Sequence, residues 1–127
     1  MNEISDSAVV AALRRQMTVA VAKQVAAAGN VANVDTPGYK ALEVTFDETL
    51  ARTASLGGSN AKHLGAADAA SGIRVQEIAG PARRDGNTVQ IDRDLLAMGR
   101  AGGEFAQAQT ALAAKFRLVR YAINEGR

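Results

Sequence analysis

The sequence predicts a mostly α-helical protein. Long N- and C-terminal helices pair as an antiparallel coiled coil, with a short loop- and β-rich segment between them. Three observations carry this expectation. Apolar residues recur every three or four positions near both ends of the chain. Alanine supplies 27 of the 127 residues while aromatics make up only 4%, which suits thin helix-on-helix packing and not a bulky core. Glycine and proline gather in the middle, where they break helices. The length allows one domain. Its stretches are 1–50 (N-terminal helix and turn segment), 51–91 (loop and small β segment) and 92–127 (C-terminal heptad helix).

The first helix is expected from Asp6 to about Ala32. Asp6 or Ser7 can cap its start by accepting the free amide hydrogens of the first turn. Val10, Leu13, Met17, Ala20, Gln24, Ala27 and Val31 follow at spacings of three and four. Gly29-Asn30 weakens the end, and residues 33–38 stop it. There Asn30 and Asn33 offer side-chain amides to the backbone groups of the helix end. Pro37-Gly38 suits the two central positions of a type II turn, which wants a fixed φ followed by a positive one. Tyr39 anchors what emerges, with Val44 and Phe46 apolar beyond it.

The middle is punctuated by glycines between residues 57 and 80 and by Pro81. A mobile loop is expected over 53–71. Residues 73–78 and 88–91 alternate apolar and polar, with Asp85-Gly86 as a turn signal before the second run. They predict a small β-hairpin or two short strands.

The C-terminal helix has the stronger pattern. Leu95, Met98, Gly102, Phe105, Gln109, Leu112, Phe116, Val119 and Ile123 repeat at three and four, as a coiled-coil seam requires. Asp92 is the expected N-cap and Gly126 the stop. Arg117 and Arg120 complement the dipole near its end. Val10, Leu13, Met17 and Val21 are expected to meet Leu112, Phe116, Val119 and Ile123 across the antiparallel pair.

Little points to chemistry. With no cysteine, disulfides, thiolate zinc sites and cysteine nucleophiles are excluded. His63 is the one histidine, without a second ligand or a nucleophile motif near it. The carboxylate pairs Asp47-Glu48 and Asp92/Asp94 are expected at helix starts or turns. No enzyme activity, cofactor or metal is therefore expected. The net charge of +2 is spread thinly: residues 1–50 carry four Lys/Arg against six Asp/Glu. This lacks the density that phosphate backbones attract, so nucleic acid is not an expected partner. No apolar run is long enough to cross a bilayer, and the first residues lack the basic and apolar regions of a cleaved signal. Direct membrane insertion is not expected.

The segment from Asn30 to Lys40 resembles the N-x-A-N-x-x-T-P-G-Y signature of the flagellar axial family, the rod, hook and hook-associated proteins. Asn30, Ala32, Asn33, Thr36, Pro37, Gly38 and Tyr39 match position by position; Gly29 departs where many members carry Asn. Within the family, four features are similar to the proximal rod proteins: the short length, residues 85–89 with Asp92-Arg93, Lys62-His63-Leu64, and the ending at 115–123. The likeness covers about residues 8–50 and 83–125 and is loose over 52–80.

This resemblance implies a structural rod subunit of the basal body, crossing the periplasm and exported by the flagellar type III route without signal cleavage. The implied partners are copies of itself, other rod proteins (FlgC and FlgF type), FliE, and the export-gate and MS-ring end. The end helices would form an inner coiled-coil layer. Other readings are another rod subunit of the family, or a cytosolic coiled-coil adaptor. The adaptor would explain the heptads but not the Asn and Thr-Pro-Gly-Tyr segment.

Overall fold

The computed structural model describes residues 6–48 and 72–124. The expected loop over 53–71, His63 and the Gly126 stop lie outside them. Helix α1 spans Asp6–Ala32, strand β1 Leu42–Phe46, strand β2 Ile73–Glu77 and helix α2 Ile91–Asn124. The protein is mostly helical, with two long helices packed together and a two-stranded antiparallel sheet between them in sequence.

The helices run in opposite directions. Asn30 bonds Asp94, Lys23 pairs with Glu104 and Asp6 with Lys115, so rising numbers on one meet falling numbers on the other. The pair is coiled-coil-like, but its seam differs from the expected one. On α2 the covered residues are Asp94, Ala101 and Ala108, with Met98, Phe105, Leu112 and Lys115 half-buried between them. That column repeats at four and three. It shares Met98, Phe105 and Leu112 with the expected seam but replaces Leu95, Gly102, Gln109 and Phe116 by the residue before each. The face is turned by about 50°, half a residue step at ~100° per residue.

The physical reason is small side chains and polar anchors. Ala20 and Ala27 of α1 and Ala101 and Ala108 of α2 are buried apolar residues where the helices meet, and such small side chains let backbones approach closely. Asp94, Glu104 and Lys115 must face α1 to reach their partners. Leu95, Phe116, Val119 and Ile123 consequently stay exposed, as does Val21 on α1. Val10 does share a groove with Phe116 and Val119 at the open end of the pair. Leu13 and Met17 lie half-buried on the inner stripe of α1.

The strand pairing also differs from expectation. Residues 73–77 pair with Leu42–Phe46, Val44 opposite Val75, and not with residues 88–91. Residues 88–90 lead into α2, which starts at Ile91 and places Asp92 in its first turn instead of at the N-cap. The ladder is extended by Asp47 N donating to Gly72 O and Ile78 N to Ala41 O. One face of the ribbon lies along α1: Val44 is buried, and the Arg15 guanidinium sits 5.7 Å from the centre of the Phe46 ring.

Candidate functional site

The signature residues gather where α1 ends, β1 begins and α2 starts. Helix α1 stops because Asn33 caps it: the Asn33 amide nitrogens of both backbone and side chain donate to Gly29 O, at 3.1 and 2.9 Å. Thr36 to Tyr39 then form the expected turn. Tyr39 N donates to Thr36 O at 3.3 Å, and Gly38 has φ +73°, the sign that a type II turn needs at its third position.

Asn30 does more than the helix-end role expected of it. It is wholly buried, and its carboxamide is fully used. Nδ2 donates to Leu42 O and to Asp94 Oδ1, both at 2.8 Å. Oδ1 accepts from Leu42 N at 2.8 Å and from the Tyr39 hydroxyl at 3.5 Å. One side chain thus ties the end of α1 to the first residue of β1 and to the first turns of α2.

A second buried asparagine locks the same loop from the far side. Asn87 Nδ2 lies 2.8 to 3.1 Å from the carbonyl oxygens of Asn33, Val34 and Thr36, and its Oδ1 accepts from Val89 N. Asn87 follows the Asp85-Gly86 turn, in which Gly86 N donates to Arg83 O and Gly86 has φ +83°. The two turns sit back to back. Gly38 N donates to Asp85 O at 2.8 Å, and a Cβ on Gly86 would lie 3.5 Å from Gly38 Cα. The Arg83 guanidinium bonds Val34 O, and Lys40 Nζ bonds Gly86 O at 3.0 Å. Thr88 closes the arrangement: its backbone N donates to Tyr39 O and its hydroxyl accepts from Ala41 N. The sequence resemblance contained residues 85–89, but nothing in the spacing said that they would hold the signature loop.

Beside this junction lies an open cleft of about 450 Å³ between α1, β1 and α2, with Lys23, Arg93, Arg100 and Glu104 at its rim. Asp94 Oδ2 and Arg93 Nη2 border it as a buried pair 3.6 Å apart. Among the described residues there is no group of three or more His, Asp or Glu side chains that could hold a metal ion. The arrangement fixes the angles between the elements that meet at the junction.

The chain matches no protein-family model and no curated protein.

The remaining predicted residues sit on the helix surfaces. Each helix carries a second heptad stripe beside the inner one. On α1, Ala11, Arg14, Thr18, Val21, Val25, Ala28 and Ala32 repeat at three and four and are all exposed. On α2, Leu95, Phe116 and Ile123 lie on the outward column at multiples of seven, also exposed. No described helix is long and apolar enough to cross a membrane.

Proposed function

We propose that this chain is a structural subunit of the bacterial flagellar rod, of the proximal FlgB type. It assembles through its two long helices and transmits torque. The observation that carries this reading is the outward stripe of α1. A second apolar stripe on a helix needs a second partner, and neither α2 nor the β ribbon covers this one. Val25 is 67% exposed and Val21 45%, at heptad spacing within a run of small residues that another helix can approach closely. Leu95 and Leu96 present a similar face on α2. These are surfaces of a part, complete only in an assembly.

The signature segment supports the same reading. Asn30, Asn33, Thr36, Gly38 and Tyr39 each have a structural task at the junction, and together with Asn87 they hold the helix pair and the β ribbon at a fixed angle. A subunit of a rotating shaft needs such rigidity, because torque applied to the ribbon must reach the helices without bending the connection. In this reading the partners are copies of the chain, rod proteins of the FlgC and FlgF type, and FliE and the export-gate and MS-ring end of the basal body. The location is the rod that crosses the periplasm.

The test is cellular. Deleting the gene should abolish motility, and the tagged wild-type chain should restore it and appear in purified basal bodies. Val21→Asp with Val25→Asp should fold, be exported and fail to restore motility. Full motility of the deletion strain, or a tagged chain confined to the cytosol, would overturn the reading in favour of an adaptor.

A further inference from the structure

We infer that the outer edge of β2 takes an extended segment of another protein chain as a third strand, one that sets an apolar residue opposite Val75 and a lysine or arginine opposite Glu77. This goes beyond the assembly reading, which rests on the helices.

The register decides which backbone groups point outward. Ladder bonds join Ile78 to Ala41 and Asp47 to Gly72. The residues that bond across the ribbon are therefore 41, 43, 45 and 47 on β1 and 72, 74, 76 and 78 on β2. The backbone groups of Leu42 and Val44 point away from β2, and those of Val75 and Glu77 point away from β1. The first edge is closed. Asn30 holds both the N–H and the carbonyl of Leu42, and α1 packs against β1. The second edge is open: among the described residues, nothing bonds the outward N–H and C=O groups of Val75 or Glu77. Such an edge is a template for another strand.

The side chains state what that strand should carry. Val75 lies directly opposite Val44, so both are on the face turned toward α1. Val44 is buried, yet Val75 is 56% exposed, because β2 is the outer strand. An apolar residue on a third strand would cover its open flank. Glu77 shares this face and is exposed. Among the described residues it has no cation, whereas Arg74 on the other face pairs with Asp47. A cation directly opposite Glu77 is the favourable cross-strand partner. Backbone pairing at an edge supplies affinity, and alternate side chains supply selectivity. The strands of a second copy do not meet these terms. Its β1 edge is closed in the same way, and its β2 brings only Ile73, Val75 or Glu77 to that face, none of them a cation.

The probe is the synthetic peptide acetyl-Thr-Lys-Thr-Val-Thr-Ile-Thr-amide. Antiparallel pairing sets its lysine opposite Glu77 and its valine opposite Val75. It is added to the purified full chain, and amide hydrogen exchange is followed residue by residue. With peptide at about ten times its dissociation constant, exchange at Val75 and Glu77 should slow about tenfold. Methylating the backbone nitrogen of the peptide's valine should abolish the effect, because the N–H that would bond Val75 O is gone. Val75→Pro removes an outward N–H and no ladder bond. It should keep the helical circular dichroism and lose the peptide. Glu77→Lys should weaken binding about threefold, and a peptide with glutamate in place of lysine should restore it. Three outcomes would overturn the inference. The first is no slowing, or equal slowing by the methylated peptide. The second is slow exchange at Val75 and Glu77 in the free monomer, which would mean that the edge is already occupied. The third is slowing that grows with protein concentration alone, which would mean that a second copy takes the edge.

Discussion

The side chain of Asn30 pairs with the backbone of Leu42 as a neighbouring strand would, giving one hydrogen bond to its carbonyl and taking one from its N–H, both at 2.8 Å. A carboxamide is the side-chain group that can do this, because it has a donor and an acceptor side by side. The same amide also donates to Asp94. It therefore joins three elements at one buried point, and removing it leaves a buried N–H and a buried carboxylate oxygen without their partners. Asn30→Ala should destabilise the protein by about 3 kcal/mol, within the range for stranding buried groups of which one is charged. Urea unfolding measures this. A loss below ~1 kcal/mol would mean that water replaces the amide and that the junction is not held by it.

Gly38 and Gly86 meet at the backs of their turns, both with positive φ. Replacing either by alanine should cost about 1–2 kcal/mol from the left-handed backbone alone. The reverse is expected at Gly103, which sits in α2 with open space where its Cβ would be. Gly103→Ala should stabilise the isolated chain by about 0.5–1 kcal/mol. Thermal unfolding of the three variants gives the comparison, and equal signs for all three would contradict it.

Asn87→Ala should loosen the loop at residues 33–36 without unfolding the helices. Three carbonyl oxygens lose a common donor, and the cost should be about 2 kcal/mol. Hydrogen exchange should quicken most at Val89, whose N–H bonds Asn87 Oδ1, and at the loop. Unchanged exchange there would show that the loop is held from elsewhere.

The rotation of the seam can be read from two substitutions on α2. Ala101 is 1% exposed and Leu95 51%. Ala101→Leu should cost about 1–3 kcal/mol by overfilling a close helix contact, whereas Leu95→Ala should change stability by less than ~0.5 kcal/mol. Chemical denaturation of both decides the matter, and a reversed order would restore the seam through Leu95 and Phe116.

These comparisons show where the sequence was legible. The two helices, their antiparallel pairing, the Pro37-Gly38 turn and the Asp85-Gly86 turn each follow from a local signal: heptad spacing, or a glycine where φ must be positive. The face of α2 that turns inward did not follow. The spacing argument weighted bulky residues such as Leu95 and Phe116, while the packing is set by alanines and by polar contacts between residues 64 to 109 positions apart. The partner of β2 was missed for the same kind of reason. Leu42–Phe46 alternates apolar and polar at every position, but alternation does not name a partner strand, and its place is fixed by Asn30 from outside the strand. Single residues that act across the fold leave no periodic trace.

The central claim is that the outward stripe of α1 is covered by other chains in a basal-body assembly. The chain has no cysteine, so Val25→Cys introduces one thiol at the more exposed of the two valines of that stripe. The measurement is its rate of maleimide labelling, in the purified subunit and in isolated basal bodies carrying the same variant. The account predicts fast labelling in the free subunit and labelling at least ~10-fold slower in the assembly. Equal rates in both, or basal bodies that do not contain the chain, would contradict it.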